Sequence, residues 1–146
     1  MWKIEGFSEV LRKAKSGEKI LIDSSPFYRC GYKCKLSLNP NGSGSGKNTH
    51  LSVYLIIMKG EYDASLEWPF CKKVTFTLVD QQENANDREN IVHSFTSDTK
   101  LQNFERPATK ENTGRGIPKY ISHNELQERR YIVDDTIFIQ FSITSP

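Results

Sequence analysis

Tyr32-Lys33-Cys34-Lys35-Leu36-Ser37-Leu38-Asn39 decides the fold class. Apolar and polar residues alternate at every step, the period of a strand with one face on a core and the other in water. Pro40-Asn41-Gly42-Ser43-Gly44-Ser45-Gly46 then breaks the pattern, since neither a ladder nor a helix runs through so many turn residues. Alternation resumes at Leu51, Val53, Leu55 and Ile57, with Tyr54, Ile56 and Met58 between them, so this second strand is apolar on both faces at its far end. After Gly60-Glu61-Tyr62-Asp63 and the Trp68-Pro69-Phe70 corner, Val74, Phe76 and Leu78 mark a third strand, and Ile137, Ile139, Phe141 and Ile143 a last one. Segments sharing one inward period predict an antiparallel β-sandwich, all-β in class.

Around these strands the elements are short. Phe7, Val10, Leu11 and Ala14 recur at helical spacing up to Ser16-Gly17. Ile20-Leu21-Ile22 begins a strand that Pro26 confines to an edge or bulge. Gln81 to Arg88 reads as a loop, Ile91 to Phe95 as a short strand, and Phe104 to Pro107 as a further element. Ser122 with Glu125 three residues on has capping-box spacing and predicts one or two helical turns through Gln127. One domain spans 1–146, with no heptad run to oligomerise it.

Composition excludes more than it assigns. A net charge of +2 is too small to call for nucleic acid, although Arg12, Lys13, Lys15 and Lys19 form a local basic cluster. Three cysteines leave one unpaired within the chain and favour a reducing, cytoplasmic setting. No apolar run reaches membrane-spanning length. Gly42 to Lys47 imitates a phosphate loop, but it leads into a strand rather than a helix, and Asn48 stands where a metal-binding hydroxyl belongs; it is expected to be a flexible interstrand loop. Cys30, Cys34, Cys71, His50, His93 and His123 are scattered, so no metal site and no cofactor are expected. No serine sits in a nucleophile elbow, and the adjacent Asp134-Asp135 pair suits a turn better than paired carboxylate chemistry, so no catalytic residue is assigned.

A binding surface survives this elimination. Ser37, Asn39 and Tyr54 share outward parity, Phe95 and Phe104 add aromatic surface near loops, and Gly114-Arg115-Gly116, leading to Ile117, offers an open backbone beside a cation. An extended peptide could pair with that backbone while an apolar side chain enters the aromatic depression. The alternative is that the three aromatics only fill the core.

Trp2-Lys3-Ile4 with Phe7, Gly31-Tyr32-Lys33, Asn41-Gly42, Thr49-His50-Leu51-Ser52, Gly60-Glu61-Tyr62-Asp63, Leu66-Glu67-Trp68-Pro69-Phe70, Asp80-Gln81, Arg106-Pro107 and Tyr131-Ile132-Val133-Asp134-Asp135 together resemble the C-terminal TRAF domain, or MATH domain, of the tumour-necrosis-factor-receptor-associated factors. The resemblance covers essentially the whole chain. It implies a TRAF/MATH sandwich of seven or eight strands with short peripheral helices, acting as a cytoplasmic adaptor for receptor-tail peptides or signalling proteins and recruited to the inner face of the plasma membrane. Such domains trimerise through an upstream coiled coil that these residues lack, along with RING or zinc modules, so the isolated chain is expected to be monomeric or weakly trimeric. Leu66 to Phe70 and Pro118-Lys119-Tyr120-Ile121-Ser122-His123 look most like the receptor-associated factor four branch.

By that resemblance Tyr54, Phe95 and Phe104 match the family's apolar pocket, and Gly116 its main-chain-pairing edge. Ser37 and Asn39 stand where many members carry Arg and Tyr, and Ser43 where many carry Asp. Leu101, Gln102 and Asn103 replace a serine cluster that grips a peptide glutamine. The usual Pro-x-Gln-x-Glu ligand therefore fits poorly, and Arg115, flanked by Lys47 and Lys119 if the loops converge, is the expected acidic contact. The other function to weigh is recognition of anionic lipid headgroups by these basic loops; nucleic acid is not expected as a partner.

Overall fold

The computed structural model describes residues 1–146. The chain runs β1 (Trp2–Ile4), α1 (Phe7–Lys15), β2 (Ile22–Asp23), β3 (Phe27–Arg29), β4 (Tyr32–Asn39), β5 (His50–Met58), β6 (Lys73–Leu78), β7 (Ile91–Thr96), β8 (Arg115–Ser122), α2 (His123–Leu126) and β9 (Ile137–Thr144). All pairings are antiparallel. One sheet has the order β1-β9-β6-β7; the other has β2-β4-β5-β8, with β3 also paired to β4. The inward residues of β4, β5, β6 and β9 meet in a core closed by Phe70, Phe104 and Tyr120. The sandwich read from the alternation is therefore present, with nine strands rather than seven or eight. Ser24 and Pro26 divide the edge beside β4 into two pieces, which pair with different parts of it (Ile22 with Leu38, Phe27 with Cys34).

Smaller expectations shift for local reasons. Ile20 and Leu21 stay outside the ladder, Leu21 largely exposed, and only Ile22–Asp23 pairs. The element expected over Phe104 to Pro107 is instead a single 3-10 turn over Gln102–Phe104. Asp134 and Asp135 both adopt left-handed backbone, with φ of 51° and 58°, in a tight turn between Val133 and Thr136. From there Asp135 serves α1, whose preceding Gly6 has no side chain to cap it: the carbonyl of Asp135 accepts from Phe7 N–H (3.0 Å) and its Oδ1 from Ser8 N–H (2.7 Å). Ser122 Oγ accepts from Glu125 N–H at 3.1 Å, the cap its spacing predicts for α2.

The glycine-rich loop is a packed turn, against the expectation of a flexible one. A Cβ on Gly42 would lie 2.1 Å from Gly46 O, and one on Gly46 would lie 2.1 Å from Pro118 O. Two backbones approach there more closely than any side chain allows. The loop thus holds β8 in position from below.

Candidate functional site

β7 and β8 are the outermost strands of their sheets on the same side of the sandwich. At one end they are locked together. Tyr120 reaches from β8 across the core, where its hydroxyl accepts from Leu78 N–H (3.0 Å) and lies within hydrogen-bond reach of the carbonyls of Phe76 (2.9 Å) and Ile91 (2.7 Å). Burial pushes its phenol well above the ordinary tyrosine range. His93 Nε2 meets Tyr120 O at 2.8 Å, and the two rings stand edge to face at 4.9 Å. At the other end, around Arg115 to Ile117, β8 pairs only with β5 and presents an open edge beside Phe95.

The outer face of the five-stranded sheet carries one continuous row, Asp23, Ser37, Tyr54 and Gly116, set by the registers of β2, β4, β5 and β8. Tyr54 is half-buried with the outward parity expected, and its hydroxyl contacts Ser43 Oγ. Ser43 N–H also donates to Ser52 Oγ, which in turn donates to Pro118 O at 2.6 Å. This hydroxyl chain joins three sequence-predicted positions, Ser43, Tyr54 and the β8 edge. Asn39 is half-buried at the end of β4, opposite Ser52.

Ser37 shares the outward parity but is buried, at 5% exposure, where a free solvent contact was expected. The row beside it is occupied: Lys35 bridges Asp23 and Glu111 at 3.0 Å each. Partial burial pushes the Asp23 carboxyl up, but hydrogen bonds from Lys35 and Ser37 outweigh that and hold it below its ordinary value. Ser37 therefore sits against Asp23 and not in open solvent.

Phe104 departs furthest from a surface role. It is 1% exposed, stacked on Phe70 at 6.0 Å and 6.2 Å from Phe95, so of this pair only half-buried Phe95 reaches the surface. The turn that seats it is tied to the approach to β8 by paired amides. Asn103 Nδ2 donates to the carbonyls of Thr113 (2.9 Å) and Gly114 (3.3 Å), and Asn112 Nδ2 to those of Asn103 (3.0 Å) and Glu105 (2.8 Å). Asn103 is thereby engaged within the fold; Gln102 is exposed, and Leu101 packs its half-buried side chain on the core. The sequence had no signal for this clasp, because Asn103 and Asn112 look like ordinary loop residues until the turn brings them together.

Arg115 is exposed and makes no ion pair, yet it pairs with Leu55 and so has core-side parity, projecting at the rim of the seam beside Ile117, which is half-buried opposite Val53. Lys119 lies four residues further along β8, its backbone roughly 13 Å away at strand rise. A Cβ on Gly116 would meet Val53 O at 2.1 Å and the Tyr54 Cα at 2.7 Å. The glycine is needed for packing against β5, whatever else the edge does. Phe95 and Phe104 thus come together on one side of Gly114–Gly116, and Tyr54 with Ser43 on the other.

No group of three or more His, Cys, Asp or Glu side chains is placed to hold a metal ion. Cys34 is buried, and burial pushes its thiol up to about 12, which keeps it protonated and inert. No helix is long and apolar enough to cross a membrane.

The MATH domain family matches residues 1–143. TNF receptor-associated factor 5 of Mus musculus is 39% identical over 98% of this chain and 26% of its own length, and TNF receptor-associated factor 1 of Mus musculus is 40% identical over 96% and 34%. The solved structure of Notothenia coriiceps TRAF5 superposes with a TM-score of 0.91 at 32% identity, covering 99% of this chain and 72% of that one. The chain spans about a quarter to a third of the length of these curated relatives. These matches support the factor 5 branch and overturn the factor four assignment. The stretches that suggested it build the fold: Trp68 Nε1 donates to Asp63 O at the corner, Phe70 fills the core, and Pro118 to His123 forms the β8–α2 junction. They report the geometry of the sandwich and not its branch. The chain belongs to the MATH-domain family, as the type found in the TNF receptor-associated factors, a family of non-catalytic adaptor domains.

Proposed function

We propose that this domain is a peptide-recognition adaptor that takes an extended segment of a receptor cytoplasmic tail or signalling protein along the open edge of β8, between Arg115 and Ile117. The observation that carries this reading is the edge itself: an unpaired ladder lies between the Phe95–Phe104 pair and Tyr54, so added backbone has hydrogen-bonding groups to meet and apolar surface on either hand. Because Phe104 is sealed beneath Phe95, the apolar contact falls to Phe95 and Tyr54. Gln102 and Arg115 are the free polar groups at the rim, Arg115 supplying the preference for an acidic side chain. In a longer protein with a coiled coil, a homotrimer would present three such edges and gain avidity through effective concentration.

A peptide array followed by calorimetry tests this. Tyr54→Ala should weaken a mapped peptide by about 1–3 kcal/mol while the domain stays folded. Unchanged affinity would remove Tyr54 from the site.

A further inference from the structure

Where β8 runs into α2, the last turn of α1, the loop between β4 and β5, the start of β5 and the start of α2 close a cleft of about 590 Å³. Neither chain end contributes to it. Hydrogen bonds between these segments fix its walls. Asn41 Nδ2 donates to Asn48 Oδ1 (3.0 Å), Asn48 N–H to Asn41 O (2.7 Å) and His123 N–H to Thr49 O (3.0 Å), while His123 Nε2 meets Pro40 O at 2.9 Å.

The lining has no apolar side chain and no carboxylate. It gathers cations instead. Lys15 is exposed and makes no ion pair, and His50 and His123 are half-buried beside it. His50 Nδ1 meets Thr49 Oγ1 at 2.7 Å, which leaves its Nε2 free; His123, held at Nε2, leaves its Nδ1 free. Asn48 accepts through Oδ1 and so keeps its amide N–H groups for a ligand. Burial, helped by Lys15 and His50, holds the His123 imidazole below the ordinary histidine value against the pull of the Pro40 carbonyl. Lys15, His50 and His123 therefore repel one another when charged, and a dianion placed among them removes that cost.

A second cleft, of about 410 Å³, shares His50 and Ser122 with the first and reaches β7. Ile91, Ile121 and Val92 line it, Val92 with 56% of its surface exposed, and its two charged side chains, Lys119 and Glu125, are of opposite sign. A phosphate in the first cleft sets whatever carries it over the second. A bilayer fits poorly, since the basic cleft has no apolar side chain to enter it and Glu125, bonded to Ser122, stands at its edge. A polypeptide fits both: a phosphorylated side chain among the cations and an apolar one on Val92.

We propose that these adjoining clefts bind a phosphoserine-containing peptide, with Lys15, His50, His123 and Asn48 around the phosphate and Val92 against an apolar neighbour. The site is separate from the β8 edge at Arg115–Ile117 and does not rest on that reading.

The test is an NMR titration of the isotopically labelled chain with a blocked peptide, Gly-Gly-phosphoserine-Gly-Leu-Gly, and with its unphosphorylated counterpart. The chain has 3 histidines, so each ring signal can be followed alone. The phosphopeptide should shift the rings of His50 and His123 and the amide of Val92, raise the titration midpoint of His123, and bind about tenfold more tightly than the plain peptide. Lys15→Gln should reduce that preference by about three- to fivefold, whereas Lys47→Gln, which removes a cation of the β4–β5 loop outside the lining, should leave it unchanged. Equal binding of the two peptides, equal losses in the two variants, or His50 and His123 signals that answer phosphatidylcholine vesicles carrying phosphatidic acid and not the phosphopeptide would each overturn the proposal.

Discussion

The two ends of β8 are built from one strand in opposite ways. At Tyr120 the polar groups are tied to one another: a phenol, an imidazole nitrogen and four backbone groups bind together between the two edge strands. At Arg115–Ile117 the strand is held from behind, by glycines that fit against β5 and by the Asn103 amide, and its outer edge is left unspent. The contrast teaches that an edge strand can be made safe at one end and available at the other without a change of fold. What differs is whether neighbouring side chains satisfy the ladder.

The sharpest way to break this comparison is to remove what supports the open end. Phe104→Ala deletes a fully buried ring beneath Phe95 and should cost about 3–5 kcal/mol of stability in chemical denaturation, a core effect and not a surface one. A loss below about 1 kcal/mol would mean that Phe104 is a surface aromatic after all. Next in size is Gly116→Ala. Its Cβ has no room beside Val53 O, so β8 must lift, and about 2–4 kcal/mol should be lost, whereas Gly44→Ala, in open space with φ of 54°, should cost only about 1–2 kcal/mol. Equal costs at the two glycines would remove the close approach of β8 to β5 from the account.

At the closed end, Tyr120→Phe keeps the ring but leaves Leu78 N–H without its acceptor, and about 1–3 kcal/mol should go. Amide exchange should then quicken at Ile91 to His93, near the lock, more than at Arg115–Ile117, where there is no lock to lose. Uniform quickening along β8 would erase the distinction between the ends.

The sandwich was legible because burial on one face imposes period two, which β4, β6 and β9 carry in their apolar residues and β5 carries until its far end. The site was legible only as a list of positions. Tyr54 kept its parity, since a long central strand fixes it. Phe104 had no parity to read, because it lies on a 3-10 turn, where neither the period of a strand nor that of an α-helix says which way a ring points. Ser37 obeyed its parity and was still buried, since parity names a face and not what covers it. The glycines of 42–46 looked pliant because composition cannot show a backbone packed against another. The branch of the family was misjudged for a related reason: residues that fix corners and cores stand out most, and they carry the least about what sets one member apart.

The most direct measurement asks whether bound peptide pairs with β8 through its backbone. A peptide mapped on an array would be synthesised with single N-methyl groups walked along its amides, and each version titrated by calorimetry. Strand addition at Arg115–Ile117 predicts an alternating pattern: methylation abolishes binding wherever the amide faces β8 and is tolerated at the positions between. Equal tolerance at every position, or equal loss, would contradict the claim that the open edge of β8 is the recognition element.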